Sequence, residues 1–384
     1  MILPFVGKVN VPLAGSALAL VGFGLYALWV HDQGGTCTCT FYDAARKQFV
    51  WAGVAAALML VVMLVHYRHT RPAAYGLYAA AVVALGLLLV FGRYTRGARG
   101  WFALGPVNVQ PAELAKIAVV LALARWLSGM TARDLSRAGG LAAPAAIAVL
   151  PMGLILVQPD LGNAMLFVPV LGAMLFVAGA RMKHLAVALA VMLAAAPFAY
   201  RFGLKEYQRN RLTSFLWPER VPRELSYQQT QSERACASGG TWGSESSGYY
   251  VPDRHTDFIA SLIAEETGFV GASFLLLFFA IFFAQAVWIA AQTRDPYGRL
   301  VVVGLVAFLA MQVFVNVGMA TGVAPITGLT LPFVSYGGSS LVACFLALGL
   351  ILNVSSRWAP GFSERDIDAG HHAIRDLPTK LLAS

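Results

Sequence analysis

Ten stretches of this 384-residue chain are long and apolar enough to cross a bilayer, and this removes most folds from consideration. They run over 11–30, 49–66, 74–92, 111–127, 140–157, 163–179, 183–201, 268–292, 299–320 and 338–355. A spanning helix needs about 20 apolar residues. Open sheet edges cannot stand in lipid, so the runs are read as helices of one bundle. The composition agrees: 58% of residues are hydrophobic and 12% charged, where a soluble domain carries about a quarter charged residues. The expected fold is therefore an all-α polytopic membrane protein of about ten transmembrane helices, forming a single domain over 1–384. A long outer loop (202–257) lies between the seventh and eighth spans. A segment with two prolines and three glycines (325–338) cannot make a regular span and reads as re-entrant before the tenth.

Charge sets the orientation. Arg68 and Arg71, Arg133 and Arg137, Arg181 and Lys183, and Arg294 and Arg299 occupy alternate connections. Basic residues gather in cytoplasmic loops, so those connections are assigned to the cytoplasm, as are both termini and the tail 356–384. The net charge of +9 has the same origin; no basic-aromatic platform for nucleic acid is visible. Arg46, Lys47, Arg93, Arg96 and Arg99 break the pattern, because they fall in outer connections. Either they contact lipid phosphates or they receive a polyanionic ligand. Cys37, Cys39 and Cys236 also fall in outer connections, where a disulfide among them is compatible with an oxidising exterior. Cys344 sits in an apolar run and reads as a small core residue.

Ionisable residues at membrane depth are costly and default to functional candidates. Glu113 and Lys116 are three apart on one helix face, one turn inside the fourth span. They form either an internal ion pair or a phosphate-binding lysine with its orienting carboxylate. Asp160, in the polar break Gln158-Pro159-Asp160, caps a helix or lines a cavity. Asp257 caps the helix expected to run to about Thr267 with Gly268 as its stop, or acts as a general base beside His255. Ser261 and Glu265 continue its polar stripe. In the irregular segment, hydroxyls such as those of Ser335 and Ser339, with backbone N–H groups, offer an anion site.

These motifs together resemble the SEDS family, represented by RodA and FtsW. The matching stretches are Gln110-Pro111-Ala112-Glu113, Gln158 to Gly162, Gln231-Ser232 with Ser238-Gly239-Gly240, Pro252 to Ile259, Ala264-Glu265-Glu266 with Gly268, Asn316 to Met319, and Leu331 to Ser340. They occur in family order over about residues 45–355. The chain departs from the pattern at Ala112, Asn163 and Asp253, and its loop 239–252 is short. The short N-terminal segment resembles the elongation members more than the division members.

The resemblance implies ten transmembrane helices and a peptidoglycan glycosyltransferase that polymerises lipid II on the outer face of the bacterial inner membrane. It also implies a class B penicillin-binding protein as crosslinking partner. By motif position Asp257 is the essential aspartate, and Glu113, Lys116 and Asp160 match polar residues of the central cavity. Asp257 would take the proton of the attacking hydroxyl in an inverting displacement. Arg46, Lys47, Arg93, Arg96, Arg99 and Lys116 would stabilise the leaving pyrophosphate, and a divalent cation (Mg or Mn) could share that task, although no metal-ligand cluster shows in the sequence. The apolar intramembrane surface would hold the prenyl tail. The alternative is a lipid II flippase using the same charges.

Overall fold

The computed structural model describes residues 9–33, 42–95, 98–105, 107–217, 222–244 and 251–357. Cys37, Cys39, Arg96 and most of the tail lie outside them. The architecture is helical. The first three helices are α1 (Val11–Gln33), α2 (Tyr42–Leu64) and α3 (Thr70–Phe91). Three short strands follow: β1 (Arg93–Thr95), β2 (Ala98–Leu104) and β3 (Val107–Val109). Next come α4 (Pro111–Leu127), α5 (Ala132–Leu135), α6 (Ala138–Val157), α7 (Leu161–Met165), α8 (Phe167–Ala178) and α9 (Met182–Phe198). The chain continues through α10 (Glu206–Leu216), α11 (Arg223–Ser238), α12 (Ile259–Gln292), α13 (Pro296–Ala320) and α14 (Gly338–Arg357). Among the described residues eight helical stretches are long and apolar enough to cross a membrane. The fourth and seventh expected spans are also helical, but each has 17 residues.

Three expectations are corrected. Segment 202–257 is not one loop, since it contains α10 and α11. Segment 93–110 folds into an antiparallel sheet in the order β1-β2-β3, with Arg93 opposite Trp101 and Phe102 opposite Val109. Gly268 is a break and not a stop: it adopts φ 66° inside α12, and the helix resumes to Gln292. A side chain at Gly268 would collide with the main chain of Thr241 and Gly243. The turn 240–244 wraps this break, with Phe269 N donating to Gly240 O and Ser244 N to Glu265 O, both at 2.9 Å.

The bundle centres on α13, which packs against α4, α8, α12 and α14. Lipid tails are as apolar as leucine, so helices associate through close backbone approach and polar ties. Gly304 supplies the first: a Cβ there would stand 2.6 Å from Val120 and 2.7 Å from Met174. Asn353 supplies the second. It is fully buried, donates to Val62 O at 2.7 Å and accepts from Tyr67 N at 3.2 Å, so it joins α14 to the end of α2. By contrast, α9 buries none of its residues.

Candidate functional site

The site is built around the segment between α13 and α14, residues 321–337, which is irregular as expected. Several elements hold it and its junction with α14. Gln48 of α2 donates to Ser335 O at 2.9 Å and accepts from Gly337 N at 3.2 Å. Ser335 Oγ accepts from Leu331 N and donates to Thr256 O, both at 2.7 Å. Tyr336 N donates to His255 O at 3.1 Å, and the His255 and Tyr336 rings lie 5.8 Å apart. Ser339 Oγ donates to Asn108 O and accepts from Gln110 N, at 3.1 Å each, which ties α14 to β3 and α4. From α13, Gln312 Nε2 donates to Thr330 O at 2.9 Å. The Ser335 hydroxyl is thus engaged in holding the segment, and that of Ser339 in anchoring the start of α14.

Asp257 stands at one side of this segment. Asp253, in the left-handed region at φ 55°, accepts from Thr256 N at 3.0 Å and Asp257 N at 3.1 Å, which makes a tight turn. Helix α12 then begins at Ile259 with Phe258 as N-cap and no side-chain cap bond. The capping role considered for Asp257 is therefore not the one it takes. Its carboxylate faces Gly328: a Cβ on that glycine would stand 3.5 Å from Asp257 Oδ2. Further along the stripe, Ser261 is buried and donates to Phe258 O at 2.7 Å, and Glu265 is ion-paired with Arg254.

The second half of the site is a polar chain across α4 and α7, buried at Glu113, Lys116 and Asn163 and partly buried at Asp160. Pro111 opens α4 as its first residue, which suits its missing N–H, and brings Glu113 into the first turn. Lys116 Nζ donates to Glu113 Oε1 at 2.7 Å and to Asn163 Oδ1 at 3.0 Å, and stands 4.3 Å from the Phe308 ring centre. Asn163 in turn donates through Nδ2 to Asp160 Oδ2 at 2.8 Å. Asp160 also caps α7, accepting from Asn163 N at 3.0 Å. Both the ion pair and the cap considered for these residues are thus present in one chain, Glu113–Lys116–Asn163–Asp160.

The two halves meet at residues 326–329. Gly162 lies against Thr327, where a side chain would collide with the Thr327 carbonyl. Gln208 of α10 donates to Pro159 O at 3.3 Å and Arg211 to Ile326 O at 3.2 Å. Of the outer cations, Arg46, Lys47, Arg93 and Arg99 are all exposed. Arg99 donates to Leu89 O at 2.8 Å, at the C-terminal end of α3, where a cation is favoured. Cys236 is a free thiol donating to Ala320 O, and burial followed by nearby Glu233 pushes its pKa up to about 11.

Gln48, Gln312 and Arg254 escaped the sequence reading, and Asn163, Asn316 and Glu265, which it names, carry partners it did not assign. The available signal was the appearance of buried amides within apolar runs, which demands partners.

Fold and site define a helical, multi-pass membrane protein with a buried Glu113–Lys116 ion pair and an irregular, largely apolar segment between α13 and α14. The chain belongs to the FtsW/RodA/SpoVE family, described as cell cycle protein, whose profile matches residues 16–358. It is 35% identical over 321 residues to stage V sporulation protein E of Bacillus subtilis, covering 81% of this chain and 86% of that one. It is 36% identical over 284 residues to peptidoglycan glycosyltransferase MrdB of Escherichia coli, covering 72% and 76%. Among solved structures it resembles a chain from work on the coordination of polymerization and crosslinking by a peptidoglycan synthase complex (TM-score 0.81, 35% identity, 92% of this chain and 99% of that one). It also resembles the rod shape determining protein RodA of Thermus thermophilus (TM-score 0.68, 33% identity, 90% and 96%).

Proposed function

We propose that this chain is a peptidoglycan glycosyltransferase that polymerises lipid II, with Asp257 as general base. The observation that carries this reading is the Asp257 carboxylate facing Gly328, a residue without a side chain, whose neighbour Thr327 packs on Gly162 of α7, next to the Glu113–Lys116–Asn163–Asp160 chain. An acceptor hydroxyl entering that gap would give its proton to Asp257. Its oxygen would attack the anomeric carbon of the donor, and the bond from that carbon to the pyrophosphate would break with inversion. The leaving pyrophosphate carries away the electron pair and needs cations. The exposed Arg46, Lys47, Arg93 and Arg99 are assigned to it, together with His255 at the mouth. Glu113, Lys116 and Asp160 act as the polar floor, Ser335 holds the segment that forms the wall, and Ser339 anchors the helix that follows it. Among the described residues no group of three His, Cys, Asp or Glu side chains comes together.

The same reading assigns the chain to the bacterial inner membrane, with the site on the outer face and the termini in the cytoplasm. Its support is the alternation of basic connections. A class B penicillin-binding protein is the proposed partner, by analogy with the similar chain from the synthase complex. The test is lipid II polymerisation by the full-length chain with that partner. Wild type is expected to make glycan strands and Asp257→Ala none, at unchanged melting temperature. Polymer from the Asp257→Ala protein would overturn the base assignment, and translocation of lipid II without polymer would favour a flippase.

A further inference from the structure

Two amides stand one turn apart on α13, and both are fully buried: Gln312 and Asn316. Gln312 Nε2 donates to Thr330 O and, at 3.2 Å, to Thr330 Oγ1. Asn316 Nδ2 donates to Leu329 O at 2.6 Å and to Asp257 O at 2.9 Å. Both acceptors of Asn316 are carbonyls. The orientation of its amide is therefore fixed by chemistry, because only the NH₂ group can face them. That leaves Asn316 Oδ1 buried without a partner among the described residues. A buried orphan acceptor is unusual and calls for an explanation.

The geometry supplies one. The turn carrying Asp257 is tied to segment 321–337 at Thr256 by Ser335 and at His255 by Tyr336. Asn316 ties Asp257 itself, and with the same nitrogen grips Leu329, the residue after Gly328. Gly328 is in the left-handed region at φ 75° and faces the Asp257 carboxylate. One amide nitrogen thus bridges the two main chains that border the gap where the acceptor hydroxyl would sit.

We infer that Asn316 is a positioning residue that sets the distance between the Asp257 carboxylate and the Gly328 main chain. This rests on the reading of Asp257 as the base. Asn316 does not touch substrate in this arrangement; it acts through Asp257. Its removal leaves the binding surfaces for lipid II in place and loosens the proton acceptor.

The test compares Asn316→Leu, which keeps the volume without a donor, Asn316→Ser, which restores one donor, and Asp257→Ala. All are made in the full-length chain, reconstituted with its class B penicillin-binding protein and assayed with lipid II. Misplacement by about 1 Å costs on the order of 10²-fold in rate, so Asn316→Leu is expected to lose about that much in kcat. Its KM is expected to stay within about twofold, since a group acting only in the transition state lowers kcat and kcat/KM together. Asn316→Ser is expected to recover part of the rate. If the leucine variant cannot be purified, the serine variant decides, with an expected loss of about tenfold in kcat at constant KM. Wild-type kcat in the deciding variant, or a raised KM with kcat unchanged, overturns the inference while an inactive Asp257→Ala keeps the base reading intact. Full activity of Asp257→Ala overturns the base reading itself and the inference with it.

Discussion

Lys116 Nζ stands 2.7 Å from a Glu113 carboxylate oxygen, and both side chains are closed off from solvent. A buried pair is weak evidence for net stability, because desolvation offsets much of the attraction. Breaking it is another matter, since the remaining charge has nowhere to go. Lys116→Met is expected to cost about 3–5 kcal/mol, because it strands the Glu113 carboxylate. Glu113→Gln keeps an acceptor for Lys116, which also retains Asn163, and should cost less. The double variant Glu113→Gln/Lys116→Met should be more stable than the sum of the two predicts, by about 1 kcal/mol or more. Thermal melting of the four proteins in one detergent measures this coupling, and additive effects would mean the pair contributes none.

Gly328 allows a sharper test of the gap beside Asp257. Its φ of 75° costs an L-residue about 1–2 kcal/mol, and the added methyl would stand 3.5 Å from Asp257 Oδ2. Gly328→Ala should therefore do modest damage to stability and large damage to chemistry. A melting temperature lowered by a few degrees, about what 1 kcal/mol does to a chain of this size or smaller, is expected alongside at least a tenfold fall in polymerisation rate. Equal and small effects on both would mean that nothing needs to enter beside the carboxylate.

How far the sequence could be read depends on what each element buries. Most side chains of the long spans are apolar, so length and hydropathy place several of them within a few residues, as at Pro111–Leu127, while α2 and α12 begin earlier, at Tyr42 and Ile259, than the expected 49 and 268. Asp160 and the Glu113–Lys116 pair were legible because ionisable groups within apolar runs need a partner nearby. Helix α11 was not legible. The face it turns inward carries Gln229, Ser232 and Ala235, all buried, so a search for apolar periodicity passes over it. The small sheet escaped for a related reason: its longest strand has only 7 residues and includes a glycine. Gln48, Gln312 and Asn316 were hidden because an amide inside an apolar run says that a partner exists without saying where. Their partners are main-chain groups of the irregular segment and of the Asp257 turn, with the Thr330 hydroxyl, and neither pattern nor spacing identifies those.

His66 lies away from the proposed site and gives a prediction for stability alone. It precedes the single turn Tyr67–His69, where its Nδ1 accepts from Arg68 N at 3.1 Å, a bond only the neutral ring can accept in that sense. Burial, then the charges of Arg357, Arg68 and His69, push its pKa down to about 4, and Asp295 only partly opposes them. In the unfolded chain the ring titrates near its ordinary value of about 6.5. Between these two values the unfolded state binds more protons than the folded state, so stability rises with pH across that window. Above about pH 6.5 the ring is neutral in both states and contributes no slope. As pH falls from about 6.5 towards 4, His66 therefore progressively destabilises the fold. The partly exposed ring and solvent screening keep the effect below what the shift alone implies. Melting temperatures of wild type and His66→Gln, measured from pH 8 down to about 4, should run parallel above about pH 6.5 and converge or cross below it, with wild type falling faster. Parallel curves throughout that acid window would mean that His66 keeps its ordinary pKa in the fold.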